Sequence, residues 1–211
     1  MFSEVLDKKR KGLLPQLGFL KKYGFYMAGG TALALQLGHR TSLDFDFYTT
    51  RKFDSRKLRE DLDQIFKKIE EVYIAEDTLV LSIEDIGVSF LKYPYPLIRS
   101  YQKINNILIA SPEDIAAMKI LAISQRGRRR DFIDIYFLMQ KFTVNQMMGF
   151  VKEKYPMFNI YLGLQGLTYF ADADQDPEKG RYRLLKKVKW NEIKKFIIGE
   201  VNRFKTRYLK K

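Results

Sequence analysis

The sequence predicts an α+β fold: a small mixed β-sheet with helices in the front half, followed by a mostly helical C-terminal part. Two observations predict it. Residues 24–28, 42–48, 78–84, 87–93 and 104–110 are short apolar or alternating runs bounded by turn-forming residues, the signature of strands. From Ser111 onward apolar residues recur at three and four, and the pattern stays helical. The division this implies is a core over residues 1–110 and a helical part over 111–211 that completes the cleft of a candidate site.

In chain order, Val5, Leu6, Leu13, Leu14, Leu17 and Leu20 place an amphipathic helix over 3–22. The run GFYMA is a short apolar strand that enters Gly29-Gly30. TALALQL follows as a helix ended by Gly38, a residue that tolerates the left-handed conformation of a helix terminator. SLDFDFY alternates with the period of a half-buried strand, with Leu43, Phe45 and Phe47 on the core side. Leu58, Leu62, Ile65, Phe66 and Ile69 predict a helix from Arg56 to Val72. Asp85–Gly87, Pro94 and Pro96 punctuate the strands that follow. Ser111, Pro112 and Asp114 form a helix start, Gly127 ends that helix, and a second helix runs over 129–141. A polar break at 171–180 interrupts an otherwise helical rear.

Composition narrows the function. Lys and Arg total 38 against 25 Asp and Glu, a net charge of +13 that favours polyanionic partners. With 46% hydrophobic residues the chain has enough apolar area for a core without cross-links. The absence of cysteine excludes thiolate metal sites and a cysteine nucleophile, and fits a reducing cytoplasm. No run approaches the roughly 20 apolar residues of a bilayer span, and the charged N-terminal residues do not read as a signal peptide. The expectation is a soluble cytoplasmic protein with no membrane partner.

The chemistry concentrates in Gly29-Gly30-Thr31, one helix, and Asp44-Phe45-Asp46. Residues two apart on a strand share a face, so both carboxylates project together about 7 Å apart at the backbone. Two hard oxygen donors on one face suit Mg²⁺ or Mn²⁺ bound to phosphate oxygens. A diglycine before a helix lets phosphate approach backbone N–H groups at the positive end of the helix dipole. Thr31 adds a hydroxyl, and Ser42 falls on the strand face of the aspartates. Arg40 either pairs with Asp44 or contacts phosphate; His39, the single histidine, reads as structural.

Lys119 is the one polar residue between Ile115 and Ile123, and its neighbours Ile115, Ala116, Ala122 and Ile123 are apolar. An unpaired buried ammonium is costly, so it points at a carboxylate or a triphosphate, or else snorkels to solvent. Asp131 and Asp134, three apart on a helix, either pair with Lys119 or offset Arg126, Arg128, Arg129 and Arg130. Those arginines either grip a nucleic-acid backbone or form a soluble turn. The basic stretch from Lys179 to Lys211 carries Tyr182, Trp190, Phe196, Phe204 and Tyr208, with Trp190 and Phe196 read as core.

The stretch AGGTALALQLGHRTSLDFDFY closely resembles the signature of the AbiEii/AbiGii toxin family of nucleotidyltransferase-like proteins. SPEDIAAMKILAISQRGRRRDFIDIYFL and the region of ADADQDPEKG and Trp190 resemble later blocks of the same family. The resemblance implies a core of the DNA polymerase β superfamily type and a role in a type IV-like toxin–antitoxin or phage-defence system. It implies Asp44 and Asp46 as catalytic metal ligands for Mg²⁺ or Mn²⁺, and Gly29 and Gly30 as the phosphate turn. It implies Lys119 as a contact to the nucleoside triphosphate, and Asp131 or Asp134 as the further acid of the last motif. RNA or transfer RNA would be the nucleotide acceptor, and a cognate antitoxin the protein partner. One position departs from the pattern: GVSFLKY carries no third acid on its inward side. A metal-dependent nuclease built on the same aspartates, and a nucleotide or RNA binder without turnover, are the rival readings.

Overall fold

The structure, a computed structural model, describes residues 2–104 and 106–208. It divides into two compact units, Met1–Ser111 and Pro112–Lys211.

The first unit is built on a seven-stranded mixed sheet. Its strands are β1 (Tyr26–Ala28), β2 (Phe45–Thr49), β3 (Ile69–Ala75), β4 (Thr78–Ile83), β5 (Ile86–Lys92), β6 (Gln102–Ile104) and β7 (Ile107–Ile109), in the order β3-β4-β5-β2-β1-β7-β6. β2 runs antiparallel to β1 and parallel to β5, and β7 enters beside β1 in parallel with Met27 opposite Ile109. The alternation read from SLDFDFY continues one step further, because Phe45, Phe47 and Thr49 are buried while Asp46 and Tyr48 are half-buried. Phe47 stacks on Phe90 of β5 at 5.7 Å, and Phe25 meets the same ring edge-on at 5.6 Å. Each such fully buried ring is worth about 1.5–3 kcal/mol of transfer free energy, so the reverse side of β2 is firmly fixed.

Five expected elements differ here. The single helix over 3–22 is a 3₁₀ turn (Ser3–Val5), a short α1 (Lys8–Leu13) and a 3₁₀ segment (Leu14–Tyr23), with Pro15 breaking the α-helical hydrogen-bond ladder. The helix expected to reach Val72 ends at Asp63 (α3, Ser55–Asp63), and Ile69 and Val72 belong to β3. The strand expected over 104–110 is the second half of a hairpin: Ile104 pairs with Ile107, and Asn106 has φ 66°. Asn105 lies outside the described residues. β2 begins at Phe45, so Ser42 and Asp44 precede the strand, and Leu43 is half-buried rather than in the core. The β4–β5 turn falls one residue earlier than the expected Asp85–Gly87: Glu84 and Asp85 both take positive φ between Ile83 and Ile86, and Gly87 belongs to β5.

The second unit is helical: α4 (Pro112–Arg126), α5 (Arg129–Met139), α6 (Val144–Lys154), α7 (Ile160–Gly166), α8 (Ala171–Asp174) and α9 (Trp190–Tyr208). The polar break starts later than expected, because Ala171–Asp174 form α8 before the irregular residues 175–189. α4 is its centre. Gly166 lets α7 approach so closely that a Cβ there would lie 3.0 Å from the Ile123 carbonyl. Lys154 of α6 donates to Asp114 of α4 at 2.7 Å, with both side chains fully buried. Trp190 and Phe196 are half-buried against aromatic partners: Trp190 against Phe132 and Phe170, Phe196 against Tyr136. Leu209, Lys210 and Lys211, the end of the basic stretch, lie outside the described residues. Among the described residues no helix is long and apolar enough to cross a membrane.

Candidate active site

β1 delivers the chain into α2 (Gly29–Leu37) through Gly29, whose φ of 75° only glycine adopts without strain. Ala28 at the N-cap of α2 brings no side-chain acceptor, so the first-turn N–H groups are not closed by the usual cap. Ala28 lies opposite Asp46 in the ladder. A Cβ on Gly29 would stand 3.1 Å from Asp46 Oδ2, so the glycine makes room for the carboxylate. A Cβ on Gly30 would collide with the Arg40 guanidinium, which is buried at 2% exposure. The diglycine is therefore needed twice, once for each charged neighbour.

α2 ends at Gly38 with φ 62°, and residues 39–44 return along it to β2. Thr31 in the first turn meets Ser42 with hydroxyl oxygens 2.6 Å apart, and also donates to the Asp44 carbonyl. Arg40 Nη1 donates to the Thr41 carbonyl at 3.1 Å and to Ser42 Oγ at 3.4 Å. Gly29, Gly30, Thr31, Arg40, Ser42, Asp44 and Asp46 are thus gathered at one place. Thr31 and Ser42 act there by holding the loop rather than by lying on the strand.

Asp44 and Asp46 are half-buried, and both are flanked by glycine. A Cβ on Gly87, in β5, would lie 2.9 Å from Asp44 Oδ1. Gly87 read in the sequence as the end of a turn and not as a neighbour of the aspartates; its alternation within GVSFLKY is the signal that could have found it. The parallel register puts Ser89 opposite Asp46 and Leu91 opposite Tyr48. The position neighbouring Asp46 on β5 is therefore a hydroxyl, not a carboxylate. Among the described residues no three His, Cys, Asp or Glu side chains gather as a metal cage. The two aspartates, whose oxygens lie where Gly29 and Gly87 carry no Cβ, offer the hard oxygen donors that a divalent cation takes, with its remaining ligands left to substrate and water.

The second unit brings together the other three expected residues. Lys119, 7% exposed on α4, places its Nζ 2.7 Å from Asp131 Oδ1 and 2.7 Å from Asp134 Oδ2, both on α5. The carboxylates sit one helical turn apart and face the ammonium from one side, which is how a lysine on an apolar helix face is accommodated. The nearby arginines are also engaged: Arg128, Arg130 and Arg181 all reach Glu178. The Arg128 guanidinium holds the Glu178 carboxyl below its usual range, and Asp176 accepts from the Arg129 N–H at 2.9 Å to close the start of α5. Asp174 is likewise lowered, by Trp190 Nε1–H and then by Lys194.

A mixed sheet with a diglycine turn into a helix and two aspartates at the start of the adjoining strand, followed by a helical unit, is the architecture of a nucleotidyltransferase. The family described as "Nucleotidyl transferase AbiEii toxin, Type IV TA system" matches residues 19–208, and the chain belongs to it. An uncharacterized protein of Aquifex aeolicus (strain VF5), aq_aa25, is 37% identical over 186 residues, covering 85% of this chain and 87% of that one. Among solved structures, JHP933 from Helicobacter pylori matches with a TM-score of 0.64 at 17% identity, covering 97% of this chain and 95% of its own. MenT4, a nucleotidyltransferase toxin from Mycobacterium tuberculosis H37Rv, matches with a TM-score of 0.60 at 14% identity over 89% of this chain and 80% of its own. At these identities the two structures establish the fold, and the family match carries the activity class.

Proposed function

We propose that the protein transfers a nucleotide from a nucleoside triphosphate to an RNA or transfer RNA acceptor, as the toxin of a type IV-like toxin–antitoxin or phage-defence system. The observation that carries the reading is the Asp44/Asp46 pair beside the uncapped, glycine-lined start of α2. Asp44 and Asp46 would hold Mg²⁺ or Mn²⁺, which supplies Lewis acidity at the phosphate oxygens. The N–H groups at Gly29, Gly30 and Thr31 receive the triphosphate, and the helix dipole favours its charge. Arg40, buried against Gly30, adds a fixed positive charge next to that turn. The same proposal gives Lys119 to the triphosphate, with Asp131 and Asp134 fixing its ammonium. The attacking hydroxyl displaces pyrophosphate in line, and its proton goes to the two-aspartate site. Asp131 and Asp134 both hold the Lys119 ammonium, and Ser89 offers no carboxylate.

Ser89 opposite Asp46 favours one other reading, a nucleotide or RNA binder without turnover. The test mixes the protein, Mg²⁺, each labelled nucleoside triphosphate in turn and total cellular RNA, with Asp46→Ala alongside. Label on one RNA size class with the intact protein alone is expected. Equal labelling by Asp46→Ala sinks the assignment, shortened RNA without label indicates a nuclease, and retained nucleotide without transfer indicates the binder.

A further inference from the structure

The sheet ladder begins only at Phe45, so Asp44 lacks the strand pairing that fixes Asp46. Something else must hold the Leu43–Asp44 backbone if the Asp44 carboxylate is to keep one direction. Thr31 fixes one side, by donating to the Asp44 carbonyl. The other side is held by residues that precede the family match, which begins at residue 19.

Five contacts run from residues 2–10 onto the loop and its neighbours. The Phe2 N–H donates to the Leu35 carbonyl at 2.9 Å, and the Phe2 ring covers Gly38 so tightly that a Cβ there would lie 2.5 Å from it. The Ser42 N–H donates to the Val5 carbonyl at 3.1 Å. Arg10 Nε donates to the Leu43 carbonyl at 2.5 Å across 33 residues of sequence. Lys9 Nζ donates to Asp85 at 2.6 Å, in the turn that leads to Gly87 beside Asp44. Val5 and Leu6 are buried at 1% and 5%, which pins the segment, and Asp7 caps α1 while pairing with the Arg10 guanidinium. The Arg10 side chain is 13% exposed, so its hydrogen bond is largely shielded from competing water.

We infer that residues 2–10 form a strap that sets Asp44, and that Arg10 is its positioning residue for the metal-binding pair. This rests on the two-aspartate reading above. Arg10 touches no reacting atom; it fixes the peptide immediately before a ligand, as groups hydrogen-bonded behind metal ligands do, and their loss costs about 10–100-fold in metal affinity.

The full-length protein is titrated with Mn²⁺, followed by electron paramagnetic resonance, in wild type, Arg10→Ala, Arg10→Lys, Asp46→Ala and Leu62→Ala. Leu62, buried in α3, serves as a core control that lowers the melting temperature without touching the strap. The expected result is a Mn²⁺ dissociation constant raised about tenfold in Arg10→Ala, partly restored in Arg10→Lys, and unchanged in Leu62→Ala. In transfer assays the half-saturating Mg²⁺ for Arg10→Ala should rise in step, with the KM for nucleotide within about twofold of wild type. Wild-type Mn²⁺ binding in Arg10→Ala, with binding lost in Asp46→Ala, overturns the strap alone. Equal binding by wild type and Asp46→Ala overturns the two-aspartate reading and the strap with it. A loss in Leu62→Ala equal to that in Arg10→Ala also overturns the strap, because general loosening would then explain both.

Discussion

Asp44 and Asp46 stand half-buried around the start of a strand, with glycines cleared away beside their oxygens, whereas Asp131 and Asp134 lie buried on one helix face with a lysine ammonium against both. The first pair stands at the partly exposed entry to a strand, against Gly29 and Gly87. The second pair has its countercharge already within 2.7 Å. Conserving stability and preparing for a ligand are opposed demands on a carboxylate, and the two units meet them separately. A buried ion pair holds its partners strongly once made, and removing one partner strands the other.

The largest effect should come from opening the helix triad. Lys119→Met leaves two buried carboxylates without their ammonium and should lower unfolding stability by about 3–5 kcal/mol in urea titrations. Asp46→Asn in the same titration should stay within about 0.5 kcal/mol of wild type, as expected where a site is not built for stability. Equal losses in the two variants would erase the contrast.

A smaller effect sharpens the sheet side. Ser89→Asp puts a carboxylate opposite Asp46 in the parallel register. Added ligand charge should tighten Mn²⁺ binding, by roughly tenfold if the new oxygen reaches the ion. Weaker binding would show that this strand position faces away from the ion.

The smallest effect gives the solvated limit. Asp85 bridges Lys68 and Lys9, which hold its carboxyl down at about 2 from a usual 3.8. A depressed folded-state value contributes stability above the unfolded value, and that contribution fades as the pH falls from about 4 toward 2. Asp85→Asn should therefore lower the urea midpoint slightly at pH 5, with the difference from wild type shrunken to a small remainder at pH 2. A difference that persists undiminished at pH 2 would mean that Asp85 acts through packing or turn geometry instead.

Much of this arrangement was legible in local pattern. The alternation of β2, a turn between β4 and β5, the left-handed stop at Gly38 and a partnered lysine in α4 all follow from spacing and residue type. β3 was not legible, because Ile69 and Val72 continue the helical spacing of α3 and an edge strand exposed on both faces loses its alternation. The role of Gly87 depends on the register between β2 and β5, which no local pattern encodes. The hydrogen bond from Arg10 to the Leu43 carbonyl was invisible for the same reason, because a backbone acceptor leaves no mark in side-chain chemistry. Ser42 and Asp44 were placed on the strand because their parity is right; the ladder starts one residue later.

The pairing of Met27 with Ile109 has a consequence for how the protein is made. β1, which aims the glycine turn, gains its β2 neighbour early in synthesis but gains β7 only after almost all of the first unit has been translated. Closing that long loop is the slow kind of folding step, dominated by entropy until the last contacts form. A nascent chain halted before residue 107 would hold every group of the Asp44/Asp46 site yet lack one wall of the strand that orients it.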